Sequence, residues 1–263
     1  MSSSSTAVGA PAPVAAASAS LRHPLTLSLL ALTFTTGLID AASYLGLGRV
    51  FTANMTGNVV LLGFGIAGAA GLPVVSPLVS LAAFLLGAVA GGRLAARITG
   101  CHYVHLRTAL LIEFTLIAAA AVIAAVSDIH PNELSGDSIV ALLAFGMGIR
   151  NATVRRIAVP DLTTTVLTLT LTGLAADSRL ADGTGRGSGR RLCATGTMLA
   201  GAVAGAVTLK TSIALPLSYA AVIALLAGTS YARVARREIP RCPTRQSRHR
   251  LGSAGFPVRS KSR

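Results

Sequence analysis

The chain has 263 residues, of which 52% are hydrophobic and only 12% are charged, and its net charge is +14. Soluble domains carry about 25% charged residues, so this composition excludes an ordinary soluble protein and indicates a membrane protein. The positive charge does not predict a nucleic-acid-binding protein, because ten of the 23 Lys and Arg residues lie between Arg233 and Arg263, where a basic segment after a last apolar helix is typical of an anchor at anionic lipid.

The first 23 residues are of low complexity, and we predict that they are disordered. Six apolar stretches then follow, and each approaches the roughly 20 helical residues that cross a bilayer core of about 30 Å. We predict a transmembrane helix at each of them: 24–47, 74–94, 108–126, 139–149 with its flanks, 192–209 and 213–232.

Asp40 is the most informative charge of the first predicted helix, where Thr35, Thr36 and Ser43 are its neighbours. A carboxylate at that depth costs about 2.5–3.5 kcal/mol on insertion scales, so it should face a partner or water. Two interpretations remain open. Asp40 either forms an ion pair with a residue such as Arg150, or it is a proton or cation site.

A polar stretch, "TANMTGN", follows between two apolar segments. Its amides and hydroxyls offer both donors and acceptors, and its glycine lets a ligand approach the backbone. We therefore predict a solute-binding segment, although bonds to neighbouring helices are the structural alternative. The candidate residues of this segment are Asn54, Thr56, Gly57 and Asn58.

The stretch "CHYVH" at residues 101–105 is interpreted as a polar loop and not as a metal site, because it lacks an acidic partner and a second cluster. Glu113, in the next apolar stretch, either snorkels or pairs with Arg107, or it serves with Asp40 in ion or proton coupling. No cofactor is expected.

The second half of the chain carries a Thr-rich segment, "DLTTTVLTLTLTG". Asp161 at its start is interpreted as a helix N-cap. Its spacing fits a helix and a strand equally, as expected of a broken segment. Together with Asn151 upstream, the candidate binding residues of this half are Asn151, Thr165, Thr168, Thr172 and Gly173.

Three similarities in the same order predict that the chain contains a duplicated unit. "GLIDAAS" corresponds to "GIRNATV", Thr56-Gly57 to Thr172-Gly173, and the pentapeptide "GAVAG" occurs at 87–91 and again at 201–205. Each unit comprises a helix, a Thr/Gly-rich broken or re-entrant segment, a helix and a helix. "GAVAG" itself predicts close helix packing. The predicted divisions are repeat 1 at 24–127, an acidic linker at 128–137, repeat 2 at 138–233 and a basic disordered tail at 234–263.

The distribution of basic residues favours six crossings and two re-entrant segments over eight crossings. The C-terminal tail is left out of this count. If the chain crossed eight times with its N-terminus inside, eight basic residues would face outward and five inward, which contradicts the positive-inside rule. With six, only Arg49 and Lys210 face outward. The inner set then has eleven members: Arg22, Arg93, Arg97, Arg107, Arg150, Arg155, Arg156, Arg179, Arg186, Arg190 and Arg191.

The blocks "GLIDAASYLGLGRVFTANMTGNVVLLG" and "RNATVRRIAVPDLTTTVLTLTLTGLAADS" resemble the YoaK family of bacterial membrane proteins. The resemblance covers roughly residues 25–233 and implies a permease-like membrane protein of unknown function, without established substrate or catalytic residues. That family often has Gln-Asn-Ala before its second block. Here Arg150-Asn151-Ala152 stands instead, so the two halves are not expected to bind a solute symmetrically.

The sequence therefore predicts an all-α, multi-pass protein of the bacterial cytoplasmic membrane with both termini in the cytoplasm. Its predicted function is transport of a small polar or ionic solute, with proton coupling as a further hypothesis. The alternative is a membrane scaffold or regulatory protein that transports nothing. An enzyme is not expected, since no nucleophile and base occur together. Membrane lipid is the expected partner, and a homo-oligomer is compatible with the sequence.

Overall fold

A computed structural model describes residues 24–98, 102–157, 167–178, 181, 183–185 and 187–238. All regular structure within these ranges is helical, which confirms the predicted all-α class. Each predicted apolar stretch lies in a helix, apart from one terminal residue in three of them. The eight helices of the described residues are α1 (Pro24–Gly46), α2 (Met55–Ile66), α3 (Val75–Arg97), α4 (His102–Val126), α5 (Leu134–Ile157), α6 (Leu167–Ala176), α7 (Ser188–Leu209) and α8 (Ala214–Glu238).

The helices fall into two length classes. Among the described residues, four segments are long and apolar enough to cross a membrane, namely Thr26–Gly46, Val75–Arg97, Val104–Val126 and Ser188–Leu209. Helices α5 and α8 have 24 and 25 residues, so they also exceed the bilayer core in length. Helix α2 has only 12 residues, and α6 has 10 within the described chain, which omits the residues directly before Leu167. At 1.5 Å per residue they extend about 18 and 15 Å, roughly half of the core.

Two helix pairs form the most extensive contacts, α1 with α7 and α3 with α5. A Cβ atom built on Gly87 of α3 would lie 2.1 Å from the Phe145 carbonyl oxygen, and one built on Gly201 of α7 would lie 2.1 Å from the Phe34 carbonyl oxygen. Only glycine permits this approach. Both "GAVAG" stretches therefore serve close helix packing, as predicted.

The remaining long helices complete the bundle. Helix α8 packs on α1 and α4, and α4 also packs on α5. Buried apolar side chains such as Leu32, Ile39, Leu143 and Leu217 lie between them. In contrast, Leu85 and Leu199 are more than half exposed, as expected of side chains that face lipid.

Three segment ends differ from the prediction. Helix α5 begins at Leu134, inside the predicted acidic linker, because an acidic residue such as Asp137 is favourable in a first helical turn. Helix α8 continues to Glu238, because the sequence "ARVARRE" consists mostly of good helix formers. The predicted polar loop at 101–105 is wrong, since α4 already begins at His102. His105 is buried there, with its Nε2 atom 3.4 Å from the Thr153 hydroxyl.

Candidate functional site

The site begins where the chain turns back after α1. Gly48 and Arg49 have φ angles of 102° and 60°, in the left-handed region where the chain reverses sharply. A Cβ atom on Gly48 would lie 2.2 Å from the Asn132 side-chain oxygen. The carboxyl end of α1 is thus adjacent to the amino end of α5.

The reversed chain binds to Asp40, more than one helical turn back along α1. The Oδ1 atom of Asp40 accepts hydrogen bonds from the backbone N–H groups of Thr52 at 3.0 Å and Ala53 at 2.9 Å, and from the Thr52 hydroxyl at 3.4 Å. Asp40 is only 5% exposed, and its Oδ2 atom has no hydrogen-bond partner among the described residues. One carboxylate oxygen therefore holds the loop, while the other is left unsatisfied.

Helix α2 starts directly after this loop. The Asn54 side chain accepts a hydrogen bond from the Gly57 N–H group at 3.2 Å, which is an N-cap contact. Beyond α2 the chain returns toward its starting point, and Arg49 donates to the Gly71 carbonyl oxygen at 3.4 Å. The two ends of the 49–71 segment are therefore adjacent.

Asn58 is fully buried and bonded within the protein. Its amide accepts from the Phe51 N–H group at 2.9 Å, and it donates to the Phe51 carbonyl oxygen at 2.7 Å and to the Ser80 hydroxyl at 3.0 Å. These bonds fix the loop and α2 against α3. The contacts of Asn58 are therefore those expected of a residue that holds helices together, which is the structural alternative to solute binding.

A cavity of about 490 Å³ lies beside Asp40, between the two halves of the chain. Six of the predicted binding residues line it: Asp40, Asn54, Thr56, Gly57, Asn151 and Thr168. Its wall also includes Tyr44, Phe51 and Met198, which the sequence analysis did not single out. Tyr44 lies one helical turn after Asp40, and this spacing was the available signal for it. The Tyr44 and Phe51 rings stack with their centroids 4.7 Å apart.

Three further predicted residues that the structure describes, Asn58, Thr172 and Gly173, do not line this cavity. Thr172 is exposed, and the Gly173 carbonyl oxygen accepts a hydrogen bond from Arg191 at 2.6 Å. Thr165, like the predicted N-cap Asp161, lies outside the described residues.

A buried ion pair lies behind the cavity wall. Arg150 is 2% exposed, Glu113 is 0% exposed, and their Nη1 and Oε1 atoms are 3.0 Å apart. Arg150 also donates to the Leu32 carbonyl oxygen at 3.1 Å and to the Thr35 and Thr36 hydroxyls. The observed ion pair therefore differs from the predicted ones. Arg150 pairs with Glu113 and not with Asp40, and Glu113 does not pair with Arg107.

This pairing decides the charge near the cavity. Arg150 and Glu113 neutralise each other, and Asp40 has no salt-bridge partner among the described residues. The described residues that line the cavity include no Lys, Arg or His. A carboxylate, two amides, hydroxyls and aromatic rings thus surround a space whose only formal charge in the described wall is negative.

The chain is similar in sequence to known proteins. The model of a family described as "Protein of unknown function (DUF1275)" matches residues 28–230. The UPF0700 transmembrane protein YoaK of Bacillus subtilis (strain 168) is 32% identical over 152 residues, which are 57% of this chain and 65% of that relative. The matched part of the chain thus spans just under two thirds of the relative's length. No solved structure matches significantly.

Proposed function

The chain belongs to the DUF1275 family, as a multi-pass membrane protein related to YoaK, and from this premise we propose that it is a permease for a small polar or ionic solute. The observation that carries the proposal is the cavity of about 490 Å³ beside Asp40. Ligand sites typically occupy about 300–1,000 Å³ and have a few convergent polar groups in a mostly apolar wall. An ionisable residue at membrane depth is a functional-site hypothesis in its own right.

The proposed permease crosses the membrane six times, and the segments that contain α2 and α6 are re-entrant. Two contacts support this for the first segment, since Gly48 lies against Asn132 and Arg49 bonds to Gly71. The Arg49–Gly71 bond favours an entry and an exit of the segment on one side of the membrane, and the Gly48–Asn132 contact favours an amino end of α5 on that same side. Non-helical backbone at this depth needs protein or a wet cavity around it, and the bonds from Asp40 and Asn58 supply protein cover.

We further infer that the two halves are inverted copies of one unit. Equivalent contacts in both halves support this, because Gly37 approaches the Met198 carbonyl oxygen and Gly148 approaches the Phe84 carbonyl oxygen, each as closely as 2.2 Å for a built Cβ atom. In the same alignment Asp40 corresponds to Asn151, and both line the cavity. Many secondary transporters bind their solute between inverted repeats, near the bilayer midplane.

A non-transporting scaffold is the competing proposal, and it has support of its own. Asn58, Glu113 and Arg150 all bond to other groups within the protein, as a purely structural set of polar residues would. Each of Asp40, Glu113 and Arg150 has one buried polar side-chain atom without a described partner, but of these three residues only Asp40 lines the cavity and lacks an ion-pair partner among the described residues. Since Glu113 is engaged by Arg150, Asp40 is also our candidate for ion or proton coupling.

Solute uptake tests the proposal. Proteoliposomes that contain the full chain are compared for uptake of a panel of labelled cations, anions and neutral solutes. We expect Asp40→Asn to lower uptake of at least one solute by about tenfold or more, because a buried, charge-assisted contact of about 1.5–3 kcal/mol is lost.

The matched control is Asp128→Asn, the same chemical change at an exposed position outside the cavity, which should leave uptake unchanged. If the protein gives no uptake above empty liposomes for any member of the panel, or if Asp40→Asn changes none of them, the scaffold becomes the better proposal. We likewise propose that the protein lies in the cytoplasmic membrane with both termini inside the cell.

A further inference from the structure

We propose that the solute of this cavity is a small organic cation whose N–H groups bind the Oδ2 atom of Asp40. The proposal rests on the proposed permease function and adds the chemical class of its solute. It starts from the asymmetry of one carboxylate. Oδ1 accepts three hydrogen bonds, and Oδ2, in a side chain that is 5% exposed, accepts none from the described residues.

A buried acceptor without a donor is unfavourable, and a charged acceptor more so. No cation among the described residues bonds to this oxygen atom. Arg150 is held by Glu113 at 3.0 Å and by three acceptors of α1, and the described cavity wall has no basic side chain. A ligand with a positively charged N–H group would supply both the missing donor and the missing charge.

The other wall residues indicate an organic cation more than a metal ion. Hard metal ions in proteins need about six or more oxygen ligands, and a cavity of about 490 Å³ is far larger than one ion requires. Tyr44 and Phe51 form an aromatic surface next to Asp40. An ammonium or guanidinium group is attracted to such a surface, and its alkyl part fits beside Met198 and Leu61.

An anion is the alternative that must be weighed, because the amino end of α2 faces this region and carries about half a positive charge. However, one N–H group of its first turn and two N–H groups just before it are already bonded. Asp40 binds the N–H groups of Thr52 and Ala53, and Asn54 binds that of Gly57. For α6 the residues before Leu167 lie outside the described chain, so an anionic ligand is included as an outcome of the test.

Propylguanidinium, propylurea and butanoate are the probes, because the first two are nearly identical in shape and differ in charge, and the third is an anion. Binding to the full chain in lipid nanodiscs is measured by calorimetry. We expect propylguanidinium to bind about tenfold or more tightly than propylurea, and butanoate to bind more weakly than both. With Asp40→Asn the ratio of the first two affinities should fall close to one, whereas with Asp128→Asn it should not change.

A second pair of variants keeps the proposal testable if Asp40→Asn does not fold. Thr168 lines the cavity and is exposed, so larger side chains at this position need not disturb the buried loop. Thr168→Lys adds a cation to the wall of the cavity that Asp40 also lines and should weaken propylguanidinium binding at least about tenfold more than propylurea binding. Thr168→Gln has similar length without charge and should preserve the ratio.

The proposal is overturned if propylguanidinium and propylurea bind equally, if butanoate binds best, if propylguanidinium has a Kd above about 10 mM, or if neither Asp40→Asn nor Thr168→Lys alters the ratio. Uptake measurements separate this result from the permease proposal. Asp40-dependent cation binding without uptake would support the cation site and contradict transport. Asp40-dependent uptake of a neutral or anionic solute would support transport and contradict the cation site.

Discussion

Asp40 and Glu113 show how two carboxylates on apolar helices can have different roles. Each is a lone acid in a long apolar helix, and each is almost fully buried. Glu113 faces Arg150 at 3.0 Å, whereas Asp40 faces backbone N–H groups of the loop that follows α1. Because a fixed partner neutralises Glu113, we interpret Glu113 as a structural residue, whereas in our proposal the incompletely neutralised Asp40 binds the solute.

The Glu113–Arg150 pair gives a stability prediction. Glu113→Leu leaves the Arg150 charge buried without its counter-ion, so we expect a loss of about 3–5 kcal/mol in unfolding free energy. The double variant with Arg150→Met removes both charges and should be more stable than Glu113→Leu alone. Unfolding of the purified protein in mild detergent measures both.

The ion pair between Arg191 and Asp177 is the matched control, because Asp177 is 54% exposed. Asp177→Leu should cost no more than about 1 kcal/mol. If the single substitutions at Glu113 and Arg150 had additive effects, the two side chains would not act as a pair in the membrane.

Sequence reasoning located the site through its polar residues and missed its apolar ones. Asp40, Asn54 and Thr168 are conspicuous because polar groups in apolar segments are costly. Phe51 and Met198 are ordinary residues of a membrane protein, so no local signal distinguishes them. Only the turn at Gly48 and Arg49, which returns the chain to α1, brings Phe51 onto Tyr44.

Partner choice was also beyond the sequence. The sequence suggests an ion pair between Asp40 and Arg150, because their helices occupy corresponding positions in the two predicted repeats. Whether two side chains meet, however, depends on how each helix is rotated about its own axis. Arg150 points to Glu113 of α4 and to the Thr35 and Thr36 hydroxyls of α1. Apolar length fixes where helices occur, and it does not fix their mutual rotation.

At the scale of elements, glycine determines how closely the long helices pack. In α3, a Cβ atom on Gly87 would lie 2.1 Å from the Phe145 carbonyl oxygen, whereas Gly92 has no atom within 4 Å of such a position. Helix α7 repeats the contrast, with 2.1 Å to the Phe34 carbonyl oxygen at Gly201 and nothing within 4 Å at Gly196. Each helix therefore contains its own control position.

We expect Gly87→Ala and Gly201→Ala each to destabilise the protein by about 1–3 kcal/mol, because backbone atoms must separate to admit the methyl group. Gly92→Ala and Gly196→Ala should be neutral, or stabilising by up to about 1 kcal/mol, since alanine restricts the unfolded chain and favours the helix. Thermal unfolding of the four variants in one detergent measures the difference. Equal effects at the paired positions would show that these helix contacts do not limit stability.

At the scale of the whole molecule, the lengths of α2 and α6 bear on topology. The 12 residues of α2 cannot cross a core of about 30 Å as a single helix, whereas the 10 described residues of α6 begin directly after residues that lie outside the described chain. The charge distribution favours the same arrangement, with two basic residues outside and eleven inside. Six crossings and eight crossings differ most clearly in the turn after α2, which returns to the side of entry in the first arrangement and reaches the opposite side in the second.

Single cysteines at Ala70, Ser127 and Thr184 test the arrangement, because all three positions are exposed and the native Cys101, Cys193 and Cys242 can be replaced by serine. With six crossings and inner termini, a membrane-impermeant maleimide added to intact cells should label positions 70 and 127 and should reach position 184 only after permeabilisation. Eight crossings would place all three inside. Labelling of position 70 from the same side as position 184 would therefore contradict a re-entrant α2 and, with it, the loop geometry on which the proposed solute site at Asp40 depends.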